Sequence, residues 1–293
     1  PSGLETAHGG GCTGMTRQRR TYHWKDGKTL TVGEKTLIMG ILNYTPDSFS
    51  DGGTWNDVDK ALRHMEDMVA AGADIIDIGA ESSRPGFTPI SAEEEIGRLE
   101  PILRRLVSEC PVPVSVDTYK AETAHYAMSY GAHIMNDIWG LQYAPEPGEM
   151  AAVAAEFDVP VIVMHNQDGT EYGDIMADMK AFFARSVAIA DAAGVSRDNI
   201  ITDPGIGFGK TFEQNLYVMK HLSELTELPY PLLLGTSRKG FIGEVLDLPV
   251  TERMEGTGAT CVAGVLDGAA IVRIHDVGPI ARMCKMADAL RPE

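Results

Sequence analysis

The sequence predicts a (β/α)8 barrel, and three observations carry the prediction. From residue 36 onward a short apolar run, a loop and an amphipathic helical pattern recur eight times. The apolar runs are near-continuous Val, Ile, Leu and Met, as expected of parallel strands covered on both faces. Eight such units in about 255 residues match the count and length of a closed barrel. A doubly wound open sheet usually carries fewer repeats and a clear switch point.

Ahead of the repeat, TYHWKDGKTLTV alternates around Asp26-Gly27. That is the pattern of a β-hairpin with a type I′ turn, placed to cap the bottom of the barrel. The strands are predicted at 36–43, 73–80, 113–118, 133–138, 160–166, 200–204, 231–237 and 269–275. The helices follow at 55–71, 91–109, 120–130, 147–157, 174–193, 211–225, 251–267 and 278–290. Ser91-Ala-Glu-Glu94 reads as a capping box opening the second helix. Gly72, Gly131, Gly194 and Gly268 each stand just after a helical pattern, where a left-handed C-cap is wanted. Residues 1–14, PSGLETAHGGGCTG, lack hydrophobic periodicity and precede Met15; they read as a tag or disordered leader, leaving 15–293 as one barrel domain.

Hydrophobic content of 44% and charged content of 23% fit a soluble globular protein with a sizeable core. No apolar run reaches the ~18–20 residues of a membrane span. A net charge of −17 argues against nucleic acid, which is bound through clustered Lys and Arg. It leaves room for a small anionic substrate met by a few local cations. Cys12, Cys110, Cys261 and Cys284 form no Cys-x-x-Cys pair, so neither a zinc site nor a disulfide framework is expected. Free thiols fit a reducing, cytoplasmic compartment.

Barrel enzymes place their chemistry at the C-terminal ends of the strands. Here those ends read Asn43, then Asp77-Ile-Gly with the loop to Gly86, Asp117, Asn136-Asp137, His165-Asn166, Asp203, Thr236-Ser-Arg-Lys239 and Arg273 with His275. Eight polar ends converging on one rim form a site. Asp117, Asn136 and Asp203 can bracket the edge of a flat heterocycle with several N–H donors. Arg84, Arg238, Lys239, Arg273 and His275 can hold a multiply charged leaving group such as pyrophosphate. Asn43 can help hold a magnesium ion bridging that group, since Mg²⁺ prefers oxygen ligands and keeps several waters. No Ser-His-Asp arrangement or activated cysteine is evident. The loops after the first two strands carry Phe49 and Phe87 and read either as solvated turns or as lids over a substrate. Asp77, in mid-strand, reads as a buried structural carboxylate, and His165 as a structural hydrogen-bonding residue. The Glu93–Glu95 run reads as a helix N-terminus favoured by the macrodipole.

The stretch DPGIGFGKT at 203–211 resembles a nucleotide-binding P-loop but has three residues, not four, between its first glycine and Gly-Lys-Thr. In a barrel it reads instead as the turn from the sixth strand into the sixth helix, with Asp203 facing the site.

Several segments together resemble the dihydropteroate synthase family of folate biosynthesis. They are ILNYTPDSFSDGG (41–53), GADIIDIGAESSRPG (72–86), SVDT (115–118), NDI (136–138), VMH (163–165), DPGIGFGKT (203–211), SRKGFIG (237–243) and RIHDV (273–277). The resemblance implies a homodimeric barrel that condenses 7,8-dihydropterin-6-ylmethyl diphosphate with 4-aminobenzoate. The products are 7,8-dihydropteroate and diphosphate; Mg²⁺ is required and sulfonamides inhibit. It implies that Asp117, Asn136, Asp203 and Lys239 bind the pterin and that Met164 lines that pocket. Asn43, Arg84, Arg273 and His275 would hold the diphosphate, with Asn43 near Mg²⁺. Phe49, Ser83 and Pro85 would shape the aminobenzoate pocket, and Asp51 and Ser83 would order the closed site. The catalytic set so implied is Asp117, Asp203, Lys239, Arg273 and His275. The subunit interface would involve the helices of 251–290. The chain departs from the family pattern at Ser83, Ala80 and Gly240; Gly240 removes a side-chain donor where the aminobenzoate carboxylate is received and leaves a backbone N–H. Two rivals are a methyltetrahydrofolate–corrinoid methyltransferase and a non-catalytic pterin-binding paralogue. The loop TPDSFSDGG with SRKGF argues against the first, and the retained charged residues against the second.

Overall fold

The computed structural model describes residues 17–45, 54–81 and 88–291. The predicted leader and the expected loop residues Phe49, Asp51, Ser83, Arg84 and Pro85 lie outside the described residues. An antiparallel hairpin, β1 (Arg20–His23) and β2 (Thr29–Val32), comes first. Eight strands then alternate with helices: β3 (Leu37–Asn43), α1 (Thr54–Ala70), β4 (Ile75–Gly79), α2 (Ala92–Glu109), β5 (Val114–Asp117), α3 (Ala121–Ser129) and β6 (Ile134–Asp137). The series continues with α4 (Glu149–Phe157), β7 (Val161–Met164), α5 (Ile175–Ala193), β8 (Ile200–Asp203), α6 (Phe212–Lys220), α7 (Ser223–Thr226) and β9 (Leu233–Leu234). It ends with α8 (Gly240–Leu246), α9 (Met254–Leu266), β10 (Ile271–Ile274) and α10 (Val277–Leu290). The eight strands pair in parallel in the order β8-β7-β6-β5-β4-β3-β10-β9. A parallel bridge from Thr202 to Leu232 joins the two ends, so the sheet is the predicted barrel. No helix among the described residues is long and apolar enough to cross a membrane.

Two apolar layers explain the unbroken hydrophobic runs. Outward side chains such as Ile76, Ile78, Val116, Val163 and Leu234 pack under the helices in one large core. Inward side chains Met39, Ile75, Ile134, Ile162, Ile201, Leu233 and Ile271 fill the lower barrel, and Tyr22, Leu30 and Val32 of the hairpin close over them. The hairpin is fastened there by Tyr22 Oη donating to the Asp198 carbonyl (2.9 Å) and Trp24 Nε1 donating to the His133 carbonyl (3.1 Å). The barrel bottom is thus a plugged apolar floor, which leaves the polar chemistry to the opposite mouth.

Several local expectations need correction. The hairpin turn is not type I′, because only Gly27 takes a positive φ (88°) and Asp26 does not. Gly27 N–H donates to the Trp24 carbonyl and Trp24 N–H to that of Lys28, both at 3.0 Å, which makes a three-residue loop with its left-handed residue last. That geometry frees the Asp26 carboxylate to accept from the Lys28 amide (3.1 Å) and to meet His133 Nε2 (2.9 Å). The Ser91 box is half-formed: Ser91 Oγ accepts from Glu94 N–H at 3.1 Å, but the Glu94 carboxylate turns to Arg98 (2.6 Å). A complete capping box stands instead at Thr211 and Gln214, inside the P-loop look-alike. The sixth helix breaks after Lys220, and the short turn α7 follows. The seventh strand shrinks to Leu233–Leu234. The seven-residue α8 was not predicted, because GFIGEVL is too short for a helical period and holds two glycines. Gly72, Gly131, Gly194 and Gly268 do take positive φ, as their positions after helices predict.

Candidate active site

Among the described residues the barrel mouth brings together Asp117, Asn136, Asp203, Lys239 and Arg273, and a residue set aside in the sequence holds two of them, Arg273 and Asn136. Asp77 lies mid-strand in β4, with every residue of that strand buried. An isolated carboxylate there would cost several kcal/mol. It is paired: Arg273 Nε, from β10, donates to Asp77 Oδ2 at 2.6 Å, and Asn136 Nδ2, from β6, donates to the same oxygen at 3.2 Å. Arg273 Nη2 reaches on to Asp117 Oδ2, at the end of β5, at 2.8 Å. One guanidinium therefore bridges two carboxylates across the barrel, and Asn136 is oriented from below. The signal was available in the sequence: a charge inside a wholly apolar strand demands a partner.

Burial pushes the Asp117 carboxyl up to about 7; Arg273 opposes the shift and Asp77 adds to it. Burial penalises the Arg273 charge, but Asp77 and Asp117 more than offset this and hold it above the ordinary arginine range. Asp137, the other polar residue ending β6, is structural. Its carboxylate accepts from the Trp139 (2.8 Å) and Leu141 (2.7 Å) amides, and burial pushes it up to about 7 against those bonds.

Asp203 and Lys239 form the second half of the mouth. Asp203, at the end of β8, is buried; its Oδ1 accepts from Gly205 N–H at 2.7 Å. Burial raises its pKa, and the charge of Lys239 pulls the other way. Burial also pushes Lys239 down to about 8, with Asp203 opposing. The Lys239 ammonium donates to the Ile206 carbonyl and lies 4.8 Å from the centre of the Phe208 ring. Phe208 packs with Met164, Tyr119 and Ile138 in a small apolar cluster, and Met164, the predicted lining residue, is 4% exposed there.

The DPGIGFGKT loop is built opposite to a phosphate cradle. The amides of Gly205 and Gly207 are already engaged, by Asp203 and by Asn215 Oδ1 (2.7 Å). Lys210, the lysine of the apparent motif, folds back on its own loop, where its Nζ donates to the carbonyls of Gly205 (2.9 Å) and Phe208 (3.0 Å) and meets His165 Nδ1 at 2.9 Å. Gly205 takes φ +62°, and a Cβ there would collide with the His165 carbonyl oxygen. His165 gains the partner its sequence position did not reveal. Burial, then the charge of Lys210, push its imidazole down to about 3, so it stays neutral and accepts at Nδ1.

The remaining predicted residues are placed as follows. Asn43 is exposed at the end of β3. His275 follows β10, with Nδ1 2.8 Å from Ser237 Oγ. Arg238 is held by Asp276 through Nε (3.0 Å) and Nη2 (2.6 Å). Gly240 opens α8, and a Cβ added there would meet nothing within 4 Å. Among the described residues no group of three or more His, Cys, Asp or Glu side chains could hold a metal ion. The lone amide oxygen of Asn43 fits an ion that arrives with a substrate's phosphate oxygens and keeps its waters, the habit of Mg²⁺.

A buried cluster missed in the sequence flanks the mouth. Glu95 is 1% exposed; it accepts from Lys120 Nζ (3.1 Å), Thr118 Oγ1 (3.1 Å) and Thr123 Oγ1 (2.9 Å). Lys120 also pairs with Glu81, which accepts from Tyr119 Oη at 3.0 Å. The last glutamate of the acidic run therefore belongs to the core, beyond any role of the run at the helix terminus.

Known proteins share this architecture. Residues 39–275 match the pterin-binding enzyme family. The dihydropteroate synthase of Bacillus subtilis is 54% identical over 273 residues, covering 93% of this chain and 94% of its own. A dihydropteroate synthase structure from Clostridium difficile, determined in the presence of pteroic acid, is 50% identical with a TM-score of 0.85, covering 88% of this chain and 98% of that one. The Xanthomonas albilineans enzyme, solved with 4-aminobenzoic acid, is 37% identical with a TM-score of 0.85, covering 94% and 98%. With the barrel, the bridged carboxylates and these similarities taken together, the chain belongs to the dihydropteroate synthase family of pterin-binding enzymes.

Proposed function

We propose that the barrel mouth joins 7,8-dihydropterin-6-ylmethyl diphosphate to 4-aminobenzoate, giving 7,8-dihydropteroate and diphosphate. The observation that carries the reading is the Arg273 bridge to Asp77 and Asp117, beside the Asp203 and Lys239 half of the mouth. Asp117, Asn136 and Asp203 present oxygen and amide groups suited to the N–H edge of a pterin. Lys239 supplies a donor to its carbonyl edge, and Met164 supplies an apolar wall. Arg273 and His275, joined by Arg84 and Asn43, take the diphosphate.

In the reaction the methylene C–O bond breaks, and its electron pair leaves with the diphosphate. Electrons from the reduced pterin ring fill the deficit at the methylene carbon. Asp117 and Asp203, as carboxylates, stabilise the resulting cation, while Arg273 and His275 stabilise the leaving anion. Fixed charges of this kind are often the largest catalytic contribution. The arylamine nitrogen then forms the new C–N bond and releases its proton to solvent. No protein nucleophile takes part. Asn43 would help hold a magnesium ion, which would supply positive charge to the leaving group.

Phe49, Asp51, Ser83 and Pro85 complete the aminobenzoate side in this reading, and Gly240 leaves that side open next to Lys239. Sulfonamides, which resemble aminobenzoate, compete for the same place. The enzyme acts in the cytoplasm as a homodimer. The exposed apolar side chains Val245, Leu246, Val250, Leu266, Met286 and Leu290, all in or beside the last three helices, support an interface there.

Purified protein with Mg²⁺, the pterin diphosphate and 4-aminobenzoate is expected to release diphosphate and form dihydropteroate. Pterin binding without diphosphate release would identify a non-catalytic pterin-binding protein instead. Asp203→Asn is expected to weaken binding of pteroic acid about 10- to 100-fold, the value of a hydrogen bond to a charged group; unchanged affinity rules out Asp203 as a pterin ligand.

A further inference from the structure

Lys210 is a half-buried lysine that the reaction does not use. All three of its partners are backbone or imidazole acceptors of the mouth: Gly205 O, Phe208 O and His165 Nδ1. The intervening carbonyl, of Ile206, accepts from Lys239. Further along the loop, the Gly209 carbonyl accepts from Tyr172 Oη at 2.6 Å. Structural donors thus bind the carbonyls of Gly205, Phe208 and Gly209, and Lys239 binds that of Ile206 among them. Gly207, at φ +86°, lets the Lys239 stem lie against the loop, since a Cβ there would sit 3.0 Å from Lys239 Cδ. The groups facing the two ammonium ions are Asp203 from β8, Asp117 and Arg273 from β5 and β10, and His165 from the end of β7.

We propose that Lys210 is a positioning residue for the pterin site: by spanning the Gly205 and Phe208 carbonyls and His165, it fixes the loop on which the Ile206 carbonyl and the Phe208 ring hold the Lys239 ammonium. The resemblance to a P-loop comes from this need. A lysine that ties down loop carbonyls, and glycines that let the loop turn under it, reproduce the composition of a phosphate cradle with its polarity reversed. The inference rests on the reading of Lys239 and Asp203 as pterin ligands.

Lys210→Met tests it. Binding of pteroic acid by the full chain is measured by calorimetry, and the KM for 4-aminobenzoate is measured at saturating pterin diphosphate. The expected result is at least a tenfold loss of pteroic acid affinity with the aminobenzoate KM unchanged within twofold. A general loss of structure would move both. Pteroic acid affinity within twofold of wild type in a folded variant overturns the proposal. If Lys210→Met does not fold, Tyr172→Phe loosens the same loop at Gly209 from a half-buried side chain. At least a threefold loss of pteroic acid affinity is then expected, and unchanged affinity overturns the proposal. Lys239→Met in parallel separates the two readings. If it too leaves pteroic acid affinity intact, the pterin site itself is misassigned; if it abolishes binding while Lys210→Met does not, only the positioning role is lost.

Discussion

Asp77→Asn isolates what the buried carboxylate does for the site. Asp77 Oδ2 accepts from both Arg273 and Asn136, whereas Oδ1 is buried with no partner among the described residues. An asparagine can therefore place its carbonyl oxygen at the Oδ2 position and its NH₂ at the Oδ1 position. Shape and both hydrogen bonds survive, and only the charge is removed. A hydrogen bond to a charged group is worth about 1.5–3 kcal/mol and a neutral one about 0.5–1.5, so the Arg273 bond weakens by about 1–1.5 kcal/mol. A buried NH₂ without an acceptor costs about 1–3 kcal/mol more. Against this, one carboxylate fewer relieves repulsion on Asp117. Arg273 also keeps Asp117, and its side chain is 20% exposed, so the full ~3–5 kcal/mol for breaking a buried pair does not apply. The net loss is about 2 kcal/mol, a fall in Tm of about 4–8 °C for a large domain. Catalysis suffers more. With its bond to residue 77 neutral and weaker, Arg273 is held less firmly in its direction, and misplacing such a group by about 1 Å costs about 100-fold. Diphosphate release followed against pH, together with a thermal melt, checks both effects. The acid limb of kcat/KM, set by Asp117, is expected to move to lower pH in the variant. A rate within twofold of wild type would refute the claim that Asp77 orients Arg273.

Pterin affinity is expected to fall above about pH 8, because Lys239 must stay protonated to donate and burial lowers its pKa to about 8; affinity for pteroic acid that is flat from pH 7 to 10 contradicts this. Stability is expected to fall as pH drops below about 6.5. His133 accepts from the Val114 amide at Nδ1 (3.0 Å), and burial holds its pKa below the ordinary histidine value. The unfolded imidazole therefore takes up a proton that the folded one refuses, so this contribution is complete above about pH 6.5 and is lost on acidification; urea midpoints at pH 8 and 5.5 in wild type and His133→Gln measure it, and an identical pH dependence in the variant excludes His133 as its source. Gly205→Ala is expected to cost more than about 1 kcal/mol, since a left-handed residue gains a Cβ aimed at the His165 carbonyl. Gly240→Ser should leave Tm within about 2 °C because its Cβ enters open space. Equal melts for these two variants would show that the loop relaxes around the added atom.

Much of this protein was legible along the chain. Strand and helix periods are local properties, and a parallel strand buried on both faces shows itself as an unbroken apolar run. The barrel, the hairpin under it and the rim residues Asp117, Asn136, Asp203, Lys239 and Arg273 follow from that register and from where each strand stops. The tertiary structure decided which charges meet. Asp77 and Arg273 are almost two hundred positions apart, and only closure of the sheet brings β4 and β10 to either side of β3. Glu95 looked like a helix-terminus charge until α2 and the β5–α3 turn enclosed it with Lys120. The loop at 203–211 carried the composition of a nucleotide site because composition records glycines and a lysine but not the direction of the peptide groups. In the folded loop, side chains occupy the amides of Gly205 and Gly207, and Lys210 faces carbonyls. Hydrogen-bond direction depends on what stands opposite each peptide group, and that is set only when distant strands come together.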